Sequence, residues 1–118
     1  MTIYTTEGDA VWTDVDVRGT VMAKRVVWEG DYGVRSAFFR MPAGMRVDSH
    51  HHSKWVQVAV LEGRMRVEQA GKPARAIGPG NVYFILAGET HTETAEVDTL
   101  LLVTQGEDRA PEMVRKVV

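Results

Sequence analysis

The chain alternates short apolar stretches with turns rich in glycine and proline, and this rhythm constrains its fold more than any other feature. The turn signals recur along the chain, each containing at least one glycine: Glu29–Asp31, Pro42–Gly44, Glu62–Gly63, Gly71–Pro73, Gly78–Gly80 and Ala87–Glu89. Glycine and proline at this density end each element after a few residues. Many short strands at such spacing predict an all-β domain, either a sandwich or a closed antiparallel barrel.

The predicted strands carry β-branched and aromatic residues, in places with the period of two that one buried face requires. In the first strand, Val11–Arg18, this period places Val11, Val15 and Val17 on one face. The other predicted strands are Val21–Trp28, Val34–Met41, Trp55–Leu61, Arg64–Gln69, Val82–Leu86, His91–Val97 and Leu100–Thr104. A turn or two of helix is predicted only around Pro111–Val117.

The length of 118 residues suits one domain with a real core. We therefore predict a single domain over 1–118, with the core barrel at about 20–105 and two peripheral segments, an N-terminal strand at 10–18 and a C-terminal tail at 106–118. Hydrophobic residues make up 44% and charged residues 25%, which is typical of an ordered globular protein.

Charge and composition exclude several classes of partner and site. The net charge of −2 offers no concentrated basic face, so a nucleic-acid partner is not expected. The absence of cysteine excludes disulfides and thiolate metal ligands. Apolar runs stay well below the roughly 20 residues that span a bilayer, so no membrane partner is expected. The N-terminus has neither the basic start nor the apolar stretch of a secretory signal, and a cytoplasmic location is the default expectation.

The histidines occur in two places, the triplet His50-His51-His52 and the distant His91. On an extended strand alternate side chains share a face, so His50 and His52 are predicted to point one way and His51 the other. Two imidazoles on one face and a third from another strand can hold a divalent metal ion and leave positions open for a ligand. The alternative is a polar, solvent-facing loop that happens to be rich in histidine.

The spacing around these histidines resembles the two signature motifs of the cupin superfamily. Gly44 is followed by five residues and then His50-His51-His52, and Gly63 closes the segment. Gly80 is followed by five residues, Leu86-Ala87-Gly88, two residues and His91. The resemblance implies a double-stranded β-helix, which is the cupin or jelly-roll barrel. Two departures, Leu86 at the motif proline and Ala95 at the motif asparagine, fall on structural positions.

A further departure concerns the carboxylate that usually completes the first motif. Counting back from Gly63 puts this position on Val56, and counting forward from His52 with the longer gap puts it on Gln57. Strand parity favours Val56 inside, but a bulge would turn Gln57 inward. Gln57 is therefore a tentative metal ligand beside His50, His52 and His91. Without it, the site would hold three histidines alone.

Glu93 is the candidate catalytic residue, because on a regular strand it faces the same interior as His91. A carboxylate beside a cation in an apolar barrel could act as a base, bind the metal or hold a metal-bound water. Alternatively it orients a histidine ring or is solvated. Arginines that alternate with apolar neighbours are expected mainly on outer faces, although one at the barrel mouth could hold an anionic substrate: Arg35, Arg40, Arg64 and Arg66.

The resemblance to three-histidine cupins implies a divalent ion, with Fe(II) favoured and Zn, Mn, Ni and Cu as alternatives. It implies dioxygenase-type oxidation of a small enolisable, phenolic or carboxylate substrate as the leading function. A pocket for such a small-molecule ligand would be lined by Phe39, Met41, Val58, Val60, Met65, Tyr83 and Ile85. The alternatives are a non-catalytic metal- or ligand-binding module, as some small cupins are, and a sugar or keto-acid isomerase. Cupins of this size commonly form homodimers, and the Val11–Arg18 strand is a candidate for exchange between subunits.

Overall fold

The computed structural model describes residues 2, 4–29 and 32–106, without the side chains of residues 49 and 50. After a short 3-10 turn at Glu7–Asp9, the described residues form ten strands. These are β1 Thr13–Val17, β2 Thr20–Glu29, β3 Val34–Met41, β4 Arg46–His50, β5 Val56–Glu62, β6 Met65–Glu68, β7 Arg75–Ile77, β8 Val82–Ile85, β9 His91–Ala95 and β10 Thr99–Gly106. The helical turns predicted around Pro111–Val117 lie outside the described residues, as does the predicted tail beyond Gly106.

The strands form two antiparallel sheets, which confirms the predicted fold class. One sheet has six strands in the order β1-β2-β3-β10-β5-β8, and the other has four in the order β4-β9-β6-β7. The pairing of β10 with both β3 and β5 brings residues distant in sequence into one sheet. Among the described residues, no helix has the length and hydropathy needed to cross a bilayer.

The core lies between the two sheets and follows from the period of two. On β5, Val56, Val58 and Val60 are almost fully buried, whereas Gln57 between them is exposed. The four-stranded sheet contributes Met65 and Ala95, which are completely buried against the same cluster. Full burial of a valine or methionine side chain stabilises the fold by about 1.5–3 kcal/mol. Alternation on β5 therefore decides which face of the sheet meets the opposite sheet.

Most predicted strands are confirmed, and the differences have local causes. The strands β4 and β7 were not predicted, because β4 carries charged and polar residues and β7 has only three. The first strand begins at Thr13, which leaves Val11 outside it and 73% exposed, so the shared face predicted for Val11 with Val15 and Val17 is wrong. That strand pairs with β2 of its own chain, while dimer formation stays a prediction.

Gly63 makes the tight connection between β5 and β6. Its φ of +88° lies in the left-handed region, which side chains other than glycine's rarely adopt. A Cβ atom built there would lie 2.7 Å from the Cα of Thr99 and even nearer the carbonyl oxygen of Asp98. The Thr99 side chain accepts a hydrogen bond from the Arg64 backbone N–H at 3.1 Å, which joins this turn to β10. Only glycine allows this approach without moving the backbone.

Candidate metal centre

The histidine triplet enters the site from the end of β4. The backbone of His50 pairs directly with that of His91 on β9, after an irregularity in the pairing that follows Val47. Because β4 ends at His50, the extended strand on which the alternation of the three histidines was reasoned does not continue through His51 and His52. Two hydrogen bonds fix the loop that follows β4. The Gly88 N–H donates to the His52 carbonyl at 2.8 Å, and Arg18 Nη2 donates to the His51 carbonyl at 3.3 Å.

The structure brings His52 and His91 together. The side chain of His91 is fully buried among the core residues, and the half-buried His52 ring stacks on it with centroids 5.6 Å apart and planes at 28°. His51 is exposed, as the alternation predicted for it. The His50 side chain belongs to the part of the chain whose side chains are not described, so its direction stays a prediction.

The donor chemistry of this pair fits a divalent ion. A metal held at about 2.1 Å by an imidazole nitrogen lies about 3.3 Å from the ring centre, so two rings that share one ion have centroids less than about 6.6 Å apart. The observed 5.6 Å lies within that limit. Among the residues with described side chains, no group of three or more His, Cys, Asp or Glu forms a candidate metal cluster, and His50 is outside that set.

Glu93 lies beside the two rings, as the strand parity predicted. Its side chain is 13% exposed, and its Oε1 lies 2.9 Å from His91 Nε2. The Tyr83 hydroxyl on β8 donates a hydrogen bond to Glu93 Oε2. Burial, strengthened by the neighbouring Glu93 carboxylate, raises the pKa of Tyr83 well above its usual value. Tyr83 is therefore a neutral donor at physiological pH, and it holds Glu93 next to Nε2 of His91.

Gln57 does not join this cluster. It is exposed on the outer face of β5, where its backbone pairs with that of Phe84, itself 51% exposed. The bulge that would turn it inward is absent from the described pairing of β5 with β8, which runs in continuous register. The tentative assignment of Gln57 as a ligand is therefore corrected, because its neighbours Val56 and Val58 occupy the inner face.

A small cavity of about 90 Å³ reaches the cluster from the core side. His52 and Glu93 line it together with apolar side chains, including the predicted Phe39, Met41 and Val58. The other predicted lining residues pack elsewhere: Val60, Met65 and Ile85 are buried in the core, and Tyr83 meets Glu93 from the β8 side. The site thus has a carboxylate and an imidazole at the edge of a mostly apolar space, whose one other polar lining residue, among those the structure describes, is Gln105.

The arginines divide between the two faces. Arg40 is on the outer face over the Trp12 ring, and Arg64 and Arg66 are exposed in ion pairs with Glu96 and Glu68, as predicted. Arg35 departs from the main expectation of an outer face and agrees with the alternative of an arginine at the barrel mouth. It has the strand parity of Ala37, Phe39 and Met41, so it lies on the inner face at the open end of β3. Counting every second residue back along β3 from the buried Met41 reaches Arg35, so the alternation of this strand would have predicted its inner face.

Comparison with family models gives a match over residues 1–108, to the model described as the ChrR cupin-like domain. The chain belongs to this cupin family. No match was found among proteins with curated descriptions. The predicted resemblance to cupins is therefore confirmed, and the match extends over nearly the whole chain, well beyond the histidine motifs.

Solved cupin structures share the fold at low sequence identity. An RmlC-like cupin from Shewanella frigidimarina is 14% identical with a TM-score of 0.75, over 92% of this chain and 94% of that one. The polyketide cyclase RemF from Streptomyces resistomycificus is 22% identical with a TM-score of 0.81, over 94% and 83%. KdgF from a Halomonas species is 20% identical with a TM-score of 0.75, over 96% and 99%. At these identities the likeness establishes the fold alone.

Proposed function

We propose that this cupin is a metal-dependent enzyme that transforms a small enolisable substrate. In this proposal His50, His52 and His91 hold a divalent ion, and Glu93 transfers a proton. The observation that carries the proposal is the contact set around His91, which combines a second imidazole at 5.6 Å with a largely buried carboxylate at 2.9 Å.

The three neutral imidazoles would leave the charge of the ion uncompensated, which favours an anionic ligand such as an enolate or a carboxylate. When bound, the ion would act as a Lewis acid on a substrate oxygen. The resemblance to three-histidine cupins favours Fe(II), and because imidazole ligands suit several divalent metals, Zn, Mn, Ni and Cu remain alternatives.

Glu93 has the position and environment of a general base. Its carboxylate borders the apolar cavity, and Tyr83 fixes one of its oxygens. It would take a proton from the carbon next to a substrate carbonyl and return it to the same or a neighbouring carbon. The proton balance then closes without any oxidant, as isomerisation requires.

Oxygen-dependent cleavage of the same enolised substrate is the oxidative branch of this proposal. Its support is the resemblance to three-histidine cupins, and it needs dioxygen as a second substrate. The likeness to RemF, a polyketide cyclase, supports small-molecule chemistry of a more general kind. Consumption of dioxygen separates the two branches.

A non-catalytic metal-binding module is the second candidate. One observation favours it: both oxygens of Glu93 are already engaged, one near His91 Nε2 and one with Tyr83. A carboxylate held in this way can fix the orientation of a metal-binding ring rather than move a proton. In that case Glu93 would be a positioning residue for His91.

The test is a turnover assay on protein loaded with Fe(II), and separately with Zn, against diketone, catechol and keto-acid panels. Loss of the proton next to the carbonyl in D₂O is followed by NMR, and dioxygen uptake is followed by an electrode. Glu93→Gln should lower turnover by about 10²–10⁴-fold while metal content is retained. Glu62→Gln, at an exposed carboxylate on β5, is the matched control and should change nothing.

Full turnover by Glu93→Gln would contradict the assignment of the base. Metal loss in Glu93→Gln, with Glu62→Gln unaffected, would instead make Glu93 part of the metal centre. Tight metal binding without turnover on any panel would favour the binding module over the enzyme.

A further inference from the structure

A wider groove of about 350 Å³ continues from the small cavity toward solvent. The two spaces share part of their lining, including His52, Phe39 and Val103, so the groove leads directly to the candidate metal centre. Arg35 lines it at the open end of β3, whereas Lys24 pairs with Phe39, four residues further along β3, in the part that the two spaces share. A ligand lying along the groove would meet apolar walls and His52 at one end and the Arg35 guanidinium at the other.

Arg35 is held in position by a neighbour on the adjacent strand. Gln105 on β10 pairs in register with Arg35 on β3, and both line the groove. With the Gln105 amide oriented so that its oxygen faces the guanidinium, that oxygen accepts a hydrogen bond from Arg35 Nε at 3.0 Å and another from Nη2. This contact uses two of the guanidinium's five N–H donors and restrains its plane, so the group has further donors for a ligand.

Lys24 adds a second positive charge on the same face. It pairs in register with Phe39, and its Nζ lies 5.9 Å from the centre of the Phe39 ring. Within the described residues, neither Lys24 nor Arg35 forms an ion pair, although Glu29 lies across the strand pair from Arg35.

The other charges that line the groove cancel only one of these two positive charges. Arg18 also lines the groove, and it donates a hydrogen bond to the His51 carbonyl in the histidine loop. Asp16 is engaged by the Gly19 N–H at 2.6 Å, in the turn between β1 and β2. Three cations therefore face two carboxylates, Asp16 and Glu29, along a groove that ends at an imidazole.

We infer that Arg35 binds the carboxylate of an organic-acid substrate whose apolar part lies against Phe39 and whose reactive part reaches His52. The Arg35 guanidinium supplies a directed, charge-assisted hydrogen bond, and Lys24, beside Phe39, adds a positive charge to the wall of the groove. This inference rests on the proposed function for the reaction, but the anion site itself needs only the groove. It makes the substrate class a small, partly apolar monocarboxylate.

The experiment is an NMR titration of the full chain with benzoate, and with benzamide as the neutral probe of the same shape. The indole N–H of Trp28, which lines the groove, serves as the reporter and is assigned from Trp28→Phe. Arg35→Met should weaken benzoate binding by about tenfold or more, in line with the loss of a hydrogen bond to a charged group. Arg40→Met, on the outer face of the same strand, is the matched control and should bind like the parent.

Gln105→Glu is a second variant that preserves packing and offers Arg35 an internal carboxylate, so it should also weaken benzoate binding. The titration is repeated on His91→Ala to separate the groove from the metal. Retained benzoate binding there, still sensitive to Arg35→Met, supports the anion site even if no turnover is ever found. Equal binding of benzoate and benzamide would overturn the inference. So would benzoate binding that His91→Ala abolishes and Arg35→Met leaves intact.

Discussion

Replacing Gly63 with alanine should destabilise the protein more than the same change at Gly71, although both residues have positive φ angles of +88° and +77°. At Gly71 a Cβ would meet no atom within 4 Å, so the cost is the left-handed backbone alone, about 1–2 kcal/mol. At Gly63 the Cβ would also overlap the backbone of Asp98 and Thr99. Relief of that overlap must move β10 or the turn, and overpacking of this kind adds about 1–3 kcal/mol.

The total for Gly63→Ala is then about 2–5 kcal/mol. Urea unfolding followed by tryptophan fluorescence measures both variants, at one protein concentration and in the presence of chelator. For an m value of about 1–3 kcal/mol/M, an extra 2 kcal/mol separates the two midpoints by roughly 1 M. Equal midpoints for the two variants would refute the close approach of the turn to Thr99.

Three further predictions test the surroundings of the site. Tyr83→Phe should lower the free energy of unfolding by about 1.5–3 kcal/mol in a urea titration, because it removes a hydrogen bond to the Glu93 carboxylate. In a pH titration at 295 nm, the absorbance change that the parent shows and this variant lacks belongs to Tyr83, and it should occur well above pH 10. A change near pH 10 would contradict the burial of Tyr83. Gln57→Glu should leave the metal affinity unchanged, as measured by competition with a chelating dye. Tighter metal binding would mean that residue 57 faces the metal centre. Met65→Ala should cost about 2–5 kcal/mol and Leu61→Ala, at a side chain 41% exposed, much less; similar losses would contradict the core assignment.

Strand periodicity and turn chemistry predicted the fold class, because burial on one face leaves a readable alternation wherever a strand is regular. Val56, Val58 and Val60 illustrate this, since the residues between them are exposed or only partly buried. The pattern failed for β4, where charged and polar residues hide the alternation and where the pairing with β9 is irregular near His50. Strand β7 is too short to show any period.

The candidate site was partly readable from sequence for the same reason. Parity along β9 predicted that Glu93 accompanies His91 to the interior. Sequence alone could not show that Tyr83 would meet Glu93, because they belong to different sheets and come together only when the two sheets pack. The position of Gln57 depended on whether a bulge interrupts the segment after His52, and no local pattern encodes that.

The position of Arg35 is a case where the pattern existed but charge was given more weight than parity. Its strand carries Ala37, Phe39 and Met41 at the same parity, which places it on the inner face at the open end. An arginine there keeps its head group hydrated while its stem follows the apolar wall, so it needs no buried counter-charge.

Metal analysis of matched histidine variants tests the central claim, that imidazoles from two distant segments share one ion. Protein purified and then reconstituted with Fe(II) or Zn should bind about one ion per chain. His52→Ala and His91→Ala should weaken that binding by more than about 100-fold, since outer contacts of a metal centre alone are worth 10–100-fold. His51→Ala, at an exposed ring, should retain the ion. A parent protein that takes up no metal, or equal loss in His51→Ala and His91→Ala, would contradict the account.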